Sequence, residues 1–467
     1  MLFSSITFLF YFLPIVLILY FVVPKKLKNA VLLVASLFFY AWGEPKYIIL
    51  ISIEIICGYI SGLLIEKFRE KKKVSKLILF LSSAVFIGCL VYFKYADFFI
   101  GNFNKVTGLS VGLLKIALPV GISFYTFQIL SYVIDVYRND AKAQKNPINL
   151  ALYVSLFPQL IAGPIVRYSD IAEQLDNRTH TLEKTYIGIR IFVIGLAKKV
   201  LIANSLGELC NAYTGRTESS VLFCWMFAIS YGLQIYFDFS GYSDMAIGLG
   251  KIFGFKFCKN FDYPYISGSI TEFWRRWHMS LGTWFRDYVY IPLGGNRCSK
   301  PRWFFNIFVV WLLTGFWHGA AWNFIIWGLF FGVFLVIEKL FLIRKLEKMK
   351  VLNHIYVIIL VAISFVIFAN DNFNGALTCL SGMFFMGGLP LVSHEQNYYL
   401  LSFAIILITA IIGATPIPKI IVSKIESKKT GNFIISIAEP VFLVLVTVLS
   451  TAYLVDGSFN PFLYFRF

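Results

Sequence analysis

Long stretches of this chain carry no charged side chain, and that limits its fold more than any motif does. Residues 1–24, 29–43, 77–93, 116–134, 219–237, 303–337, 351–370 and 399–418 contain no Asp, Glu, Lys or Arg. Residues 47–65 and 432–454 carry one acid each, Glu54 and Glu439. At about 1.5 Å per helical residue, most of these runs cover a hydrocarbon core of roughly 30 Å, alone or with tilt. In that medium the backbone must satisfy its own hydrogen bonds, so only helices or a closed barrel can cross. A barrel would show short alternating segments, whereas these blocks are continuous. With 58% hydrophobic and 14% charged residues, the chain has too little polar side chain for a soluble protein of its length. The sequence therefore reads as an all-α polytopic membrane protein with roughly ten to twelve spans. Residues 1–467 read as one membrane domain, with no repeat, low-complexity tract or soluble domain.

The charges sit between the apolar blocks. Lys25, Lys26 and Lys28 follow the first run, and Lys67, Arg69, Lys71, Lys72, Lys73 and Lys76 form a second cluster. Lys339, Arg344, Lys345, Lys348 and Lys350 form a third, and Lys419, Lys424, Lys428 and Lys429 a fourth. The net charge of +17 is thus punctuation of the kind the positive-inside rule describes, not a nucleic-acid-binding face. The alternation predicts both termini outside and these clusters inside. Residues 1–24 lack the basic start of a cleavable signal and read as the first span. Seven scattered cysteines without a CxxC imply neither a disulfide framework nor a zinc site.

Three regions depart from simple spans. Residues 147–166 are uncharged but hold Pro147, Pro158, Gly163 and Pro164, which predicts a broken or re-entrant helix. Residues 251–302 interleave arginine with tryptophan, which suits an amphipathic segment at the membrane surface. Residues 373–391, with four glycines, are too weak for a span and read as interfacial or re-entrant.

Histidine is sparse, with five in the chain. His318, in Gly315-Phe316-Trp317-His318-Gly319, lies within the longest uncharged run. An ionisable group at membrane depth is costly, and imidazole carries protons near neutral pH, so His318 is the leading catalytic candidate. The competing reading is a histidine that only hydrogen-bonds a neighbouring helix. His278, in Trp274-Arg275-Arg276-Trp277-His278, is the second candidate, and spacing alone favours an interfacial role for it. His180 and His394 lie in polar surroundings and read as solvated, and His354 reads as interfacial. Asp238 and Asp244 read as a helix terminus or as lining of a polar cavity, with the terminus preferred. Glu54 reads as a tunnel residue or as an acid paired to a basic neighbour, with the pairing preferred. No GxSxG, HExxH or Walker loop offers a nucleophile or a metal, which leaves general-base chemistry on a hydroxyl as the simplest enzymatic reading.

Taken in order, several short motifs resemble the membrane-bound O-acyltransferases, in particular their bacterial polysaccharide O-acetylation branch. These are Trp317-His318-Gly319, Arg275-Arg276-Trp277-His278 and the Asp238 to Asp244 block. Others are Phe38-Phe39-Tyr40-Ala41-Trp42-Gly43, Pro119-Val120-Gly121-Ile122-Ser123-Phe124 and Phe157-Pro158-Gln159-Leu160 with the residues to 165. Tyr290-Ile291-Pro292-Leu293-Gly294-Gly295-Asn296 and the terminal Asn460-Pro461-Phe462-Leu463-Tyr464-Phe465-Arg466-Phe467 complete the set, which runs nearly the whole chain. The resemblance implies spans ringed about a tunnel, with His318 as the catalytic histidine and His278 as a second polar position that orients the donor or polarises its carbonyl. It implies a bacterial cytoplasmic-membrane location and acetyl-CoA as acyl donor from the inside. It also implies an outer partner of the SGNH-hydrolase type that passes the acetyl group to a polysaccharide. Rival readings are D-alanyl transfer to teichoic acid from a carrier protein, a proton-coupled transporter, and a scaffold that only recruits a partner.

Overall fold

A computed structural model describes residues 1–161, 163–370 and 372–457, and every regular element among them is helical. The terminal motif 460–467, the C-terminus whose outside location the charges predict, and Ala162 lie outside the described residues.

Six helices among the described residues are long and apolar enough to cross a membrane: Ile48–Lys67, Lys72–Thr107, Val221–Ile252, Trp322–Leu346, Leu352–Ala369 and Lys429–Val455. A seventh is gained if His394–Ser402 and Ala404–Gly413, bent by 59°, cross as one. The sequence reading of roughly ten to twelve also counted runs that fold into shorter helices. Lys28–Gly43 has 16 residues and Ile122–Arg138 has 17, below the roughly 20 that an upright crossing takes. The 303–337 run splits as expected, into Lys300–His318 and Trp322–Ile337. Phe373–Met383 has 11 residues, too few to span.

The described chain divides into two units, residues 1–192 with 245–258 and residues 193–244 with 259–467. In the first, the 147–166 segment is broken as its prolines require, into Pro147–Ser155 and Phe157–Leu160. It is buried in protein, where such a break is tolerated. The Phe157 N–H freed at the break donates to Ser36 Oγ at 3.1 Å, and the Phe157 ring packs on Phe12 with centroids 5.3 Å apart. Glu54 is buried, and it accepts a hydrogen bond from the Thr126 hydroxyl at 3.3 Å instead of pairing with a base as expected.

In the second unit, Asp238 and Asp244 correct the sequence reading. They lie inside the Val221–Ile252 helix and not at its end. Lys199 Nζ is 2.8 Å from Asp238 Oδ1, with both side chains almost fully buried, and it also donates to Asn204 Oδ1 at 2.8 Å. The preceding residue, Lys198, pairs with Asp244 at 2.6 Å. Both lysines stand on a π-helical turn, Lys198–Ala203. Gly241 lies between the two acids, and a Cβ there would sit 2.7 Å from the Gly195 carbonyl oxygen. The bare glycine thus lets the two backbones come close enough for short bridges.

A buried pair resists loss of one partner far more than loss of both, because a lone charge stays desolvated. Lys199→Ala or Asp238→Ala should each cost about 3–5 kcal/mol, whereas the Lys199→Met, Asp238→Leu double variant should recover most of it. Thermal unfolding in detergent reads this, and equal losses in single and double variants would contradict it.

Candidate active site

The hairpin of Lys300–His318 and Trp322–Ile337 is the framework of the site. Its helices approach closely because Gly315 and Gly328 face each other's backbones. A Cβ at Gly315 would collide with the Phe324 carbonyl oxygen, and one at Gly328 with that of Trp311. His318 is the last residue of the first helix and is 3% exposed. Gly319 turns the chain in extended backbone, and a Cβ there would enter the Phe324 ring. The imidazole lies edge-on to Trp327, Trp317 and Phe368, with centroids 4.9, 5.0 and 5.5 Å away. Asn323 Nδ2 donates to the Phe368 carbonyl at 3.2 Å and ties helix Leu352–Ala369 to the hairpin. The result is an imidazole in an aromatic box, a water-poor setting in which electrostatic effects are strong.

His278 joins two short helices, Ile270–Arg276 and Met279–Phe285. It is 1% exposed, its side chain enclosed by protein. Arg275 and Arg286 on these segments are exposed while Phe273, Trp277, Trp284 and Phe285 are buried, an amphipathic division. The first helix is held at its start by buried Glu338, which accepts from the backbone N–H groups of Ile270 and Thr271 at 2.6 and 2.8 Å. His278 itself has φ +42° and ψ +54°, a left-handed conformation that a residue other than glycine holds at a cost. Its partner is Asn260, which the sequence reading did not single out. Asn260 Oδ1 accepts from the Ser280 backbone N–H at 3.2 Å and the Ser280 hydroxyl at 2.9 Å, which fixes the amide's orientation. His278 Nδ1, 3.2 Å from the same oxygen, is then the donor, so the neutral ring carries its lone pair on Nε2.

Trp317 brings the two candidates into one cluster. Its indole is 5.0 Å from the His318 ring and 5.6 Å from the His278 ring. The other histidines lie elsewhere. His394 is exposed, as expected, and His354 Nδ1 is 3.1 Å from the Ser267 carbonyl. His180, expected to be solvated, is half-buried and lies 2.8 Å from the Tyr20 hydroxyl. Among the described residues no group of three or more His, Cys, Asp or Glu side chains could hold a metal ion.

Burial pushes the His278 imidazole down to about 3. The unfolded chain binds this proton below about pH 6.5 and the folded chain does not. His278 therefore lowers stability as pH falls from 6.5 toward 3, and has no such effect above 6.5. The wild type should lose stability on acidification more steeply than His278→Gln, by up to about 1.4 kcal/mol per pH unit. Parallel slopes in thermal melts between pH 5 and 7 would contradict this.

Comparison with known proteins identifies the family of the chain. Residues 138–379 match the model of the membrane-bound O-acyltransferase family, MBOAT, and this region holds both histidines and Asn260. The chain is 39% identical to the probable alginate O-acetylase AlgI of Azotobacter vinelandii over the full length of both. It is 36% identical to the peptidoglycan O-acetyltransferase of Helicobacter pylori, over 86% of this chain and 83% of that protein. The teichoic acid D-alanyltransferase of Bacillus subtilis is 32% identical, over 48% of this chain and 59% of its own. The chain is an O-acyltransferase and belongs to the membrane-bound O-acyltransferase family.

Proposed function

We propose that this protein moves an acetyl group from a cytoplasmic thioester, acetyl-CoA, to a hydroxyl on the outer side of the membrane. The observation that carries the reading is His318, a buried imidazole at a helix end in an aromatic box, sharing Trp317 with His278. His318 takes the proton of the acceptor hydroxyl as its oxygen bonds to the acyl carbon. The carbon–sulfur bond then breaks, and the proton passes from the imidazole to the departing thiolate.

His278 acts beside it as a positioning residue. With Nδ1–H committed to Asn260, its Nε2 accepts a hydrogen bond from the donor's own N–H or O–H. Polarising the thioester carbonyl would need a protonated ring, which burial opposes. Orienting the donor is therefore the better supported of the two roles.

The whole chain forms one membrane domain on this reading, in which the shorter helices complete roughly ten to twelve spans about a tunnel. The basic clusters face the cytoplasm of a bacterial inner membrane and concentrate a polyanionic donor. Both termini lie outside. The acceptor is an SGNH-type partner that hands the acetyl group to a cell-surface polysaccharide. Full-length similarity to proteins named for alginate and peptidoglycan O-acetylation supports acetyl over D-alanyl, whose named relative matches about half the chain.

With labelled acetyl-CoA and the acceptor in proteoliposomes, His318→Ala should lose transfer by roughly 10²–10⁴-fold while keeping the wild-type melting profile. Retained transfer would remove His318 from the chemistry. A wild type active only with a carrier-bound acyl donor would replace acetyl-CoA in the scheme.

A further inference from the structure

The first two helices carry a feature that acyl transfer does not use. Phe8–Val22 and Lys28–Gly43 leave between them a groove of about 750 Å³, walled by Phe12, Val16, Leu19, Leu27, Ala30 and Val34 among others. It runs from Leu27 and Ala30 to Phe38 and Trp42. From residue 30 to 42 that is about 18 Å of helix, close to the roughly 15 Å depth of one bilayer leaflet.

At its basic end, Ala30 also lines a second cavity of about 580 Å³, together with Lys25, Lys26, Lys28, Arg178 and His180. Asp176 is the acid in its wall, and that carboxylate already accepts from Asn149 Nδ2 at 2.7 Å. Four permanent cations therefore face one engaged carboxylate.

Two of the four, Lys28 and Arg178, are held in place beforehand. The Tyr20 hydroxyl donates to the Phe253 carbonyl at 2.9 Å, and it accepts from Arg178 Nε at 2.9 Å. His180 Nε2, 2.8 Å from the same oxygen, is left to donate to it. Arg178 lies over the Phe255 ring at 4.6 Å and also donates to the Gln174 and Leu175 carbonyls. Lys28 Nζ stands 4.7 Å over the Tyr20 ring. Gly254, at φ +85°, keeps the backbone clear of His180 and Arg178, where a Cβ would lie 3.1 and 3.2 Å from their side-chain atoms. The basic groups also repel one another. Burial and then Arg178 lower the Lys28 ammonium, and burial and then Lys28 lower the His180 imidazole. An anion among them would relieve that repulsion.

We infer that this groove and basic pocket form one binding site for an anionic phospholipid. One acyl chain lies along the groove, and the headgroup phosphate sits among Lys25, Lys28 and Arg178. A soluble phosphate would satisfy the cations alone. The apolar groove opening beside them is what selects a lipid, and basic pockets between helices at a membrane face suit anionic headgroups.

The test is to extract the full-length protein gently from proteoliposomes of equal phosphatidylglycerol and phosphatidylcholine, and weigh the retained lipid by native mass spectrometry. Wild type should keep phosphatidylglycerol over phosphatidylcholine. Lys25→Gln with Lys28→Gln should lower that preference roughly 25-fold, at about five-fold per lysine. Val34→Trp, which fills the groove, should lose the retained lipid while the pocket stays intact. Lys71→Gln with Lys72→Gln removes the same charge elsewhere and should leave the preference as in wild type. No preference in wild type, an equal loss in the Lys71/Lys72 control, or unchanged retention in Val34→Trp would each overturn the proposal.

Discussion

Taking an ionisable or polar group out of water is costly, and the placement of several such groups in this structure answers that cost. Lys199 and Asp238, both almost fully buried, stand 2.8 Å apart, and Asn204 takes a further bond from the ammonium. Buried Glu338 spends its oxygens on the first backbone N–H groups of Ile270–Arg276. Where prolines break the 147–166 segment, Ser36 receives the freed amide of Phe157. The Lys199–Asp238, Glu338–Ile270 and Ser36–Phe157 contacts join elements distant in sequence, so the cost of burial helps to set which of these helices pack together.

The same cost shapes the candidate site. Glycines at 315 and 328 bring two backbones together so closely that the side chains around them stack into a box, and His318 closes the end of that helix inside it. His278 reaches the same cluster by a different route, from a left-handed turn between two short helices. Asn260 gathers three donors on one oxygen, and that choice decides which nitrogen of His278 holds its proton. Trp317, touching both rings, brings two residues forty positions apart in the chain into one cluster.

Much of this was legible in the sequence, and the rest was hidden for physical reasons. Uncharged runs announced the helices, four breakers in 147–166 announced the broken one, and an isolated ionisable group in 303–337 announced His318. Span counting was less secure, because hydropathy reports a run's apolarity but not where its helix ends. Lys28–Gly43 stops at 16 residues. Asp238 and Asp244 looked like a terminus because hydroxyls and Gly241 surround them. The lysines that neutralise them lie some forty residues upstream, and only the fold brings them together. Asn260 carried no signal, since a lone asparagine among Lys259, Phe261 and Asp262 reads as a loop. The burial of His278 was likewise out of reach, because flanking arginines suggest water or headgroups while its own turn points the ring inward.

The central claim is that His318 acts by removing a proton from the acceptor hydroxyl. An acceptor that needs no such help separates this from a structural role. In His318→Ala, transfer of acetyl from acetyl-CoA to hydroxylamine should proceed at nearly the wild-type rate while transfer to the natural hydroxyl is lost. If the variant fails equally with both acceptors, His318 supports the donor site or the fold, and the base in this reaction is another group.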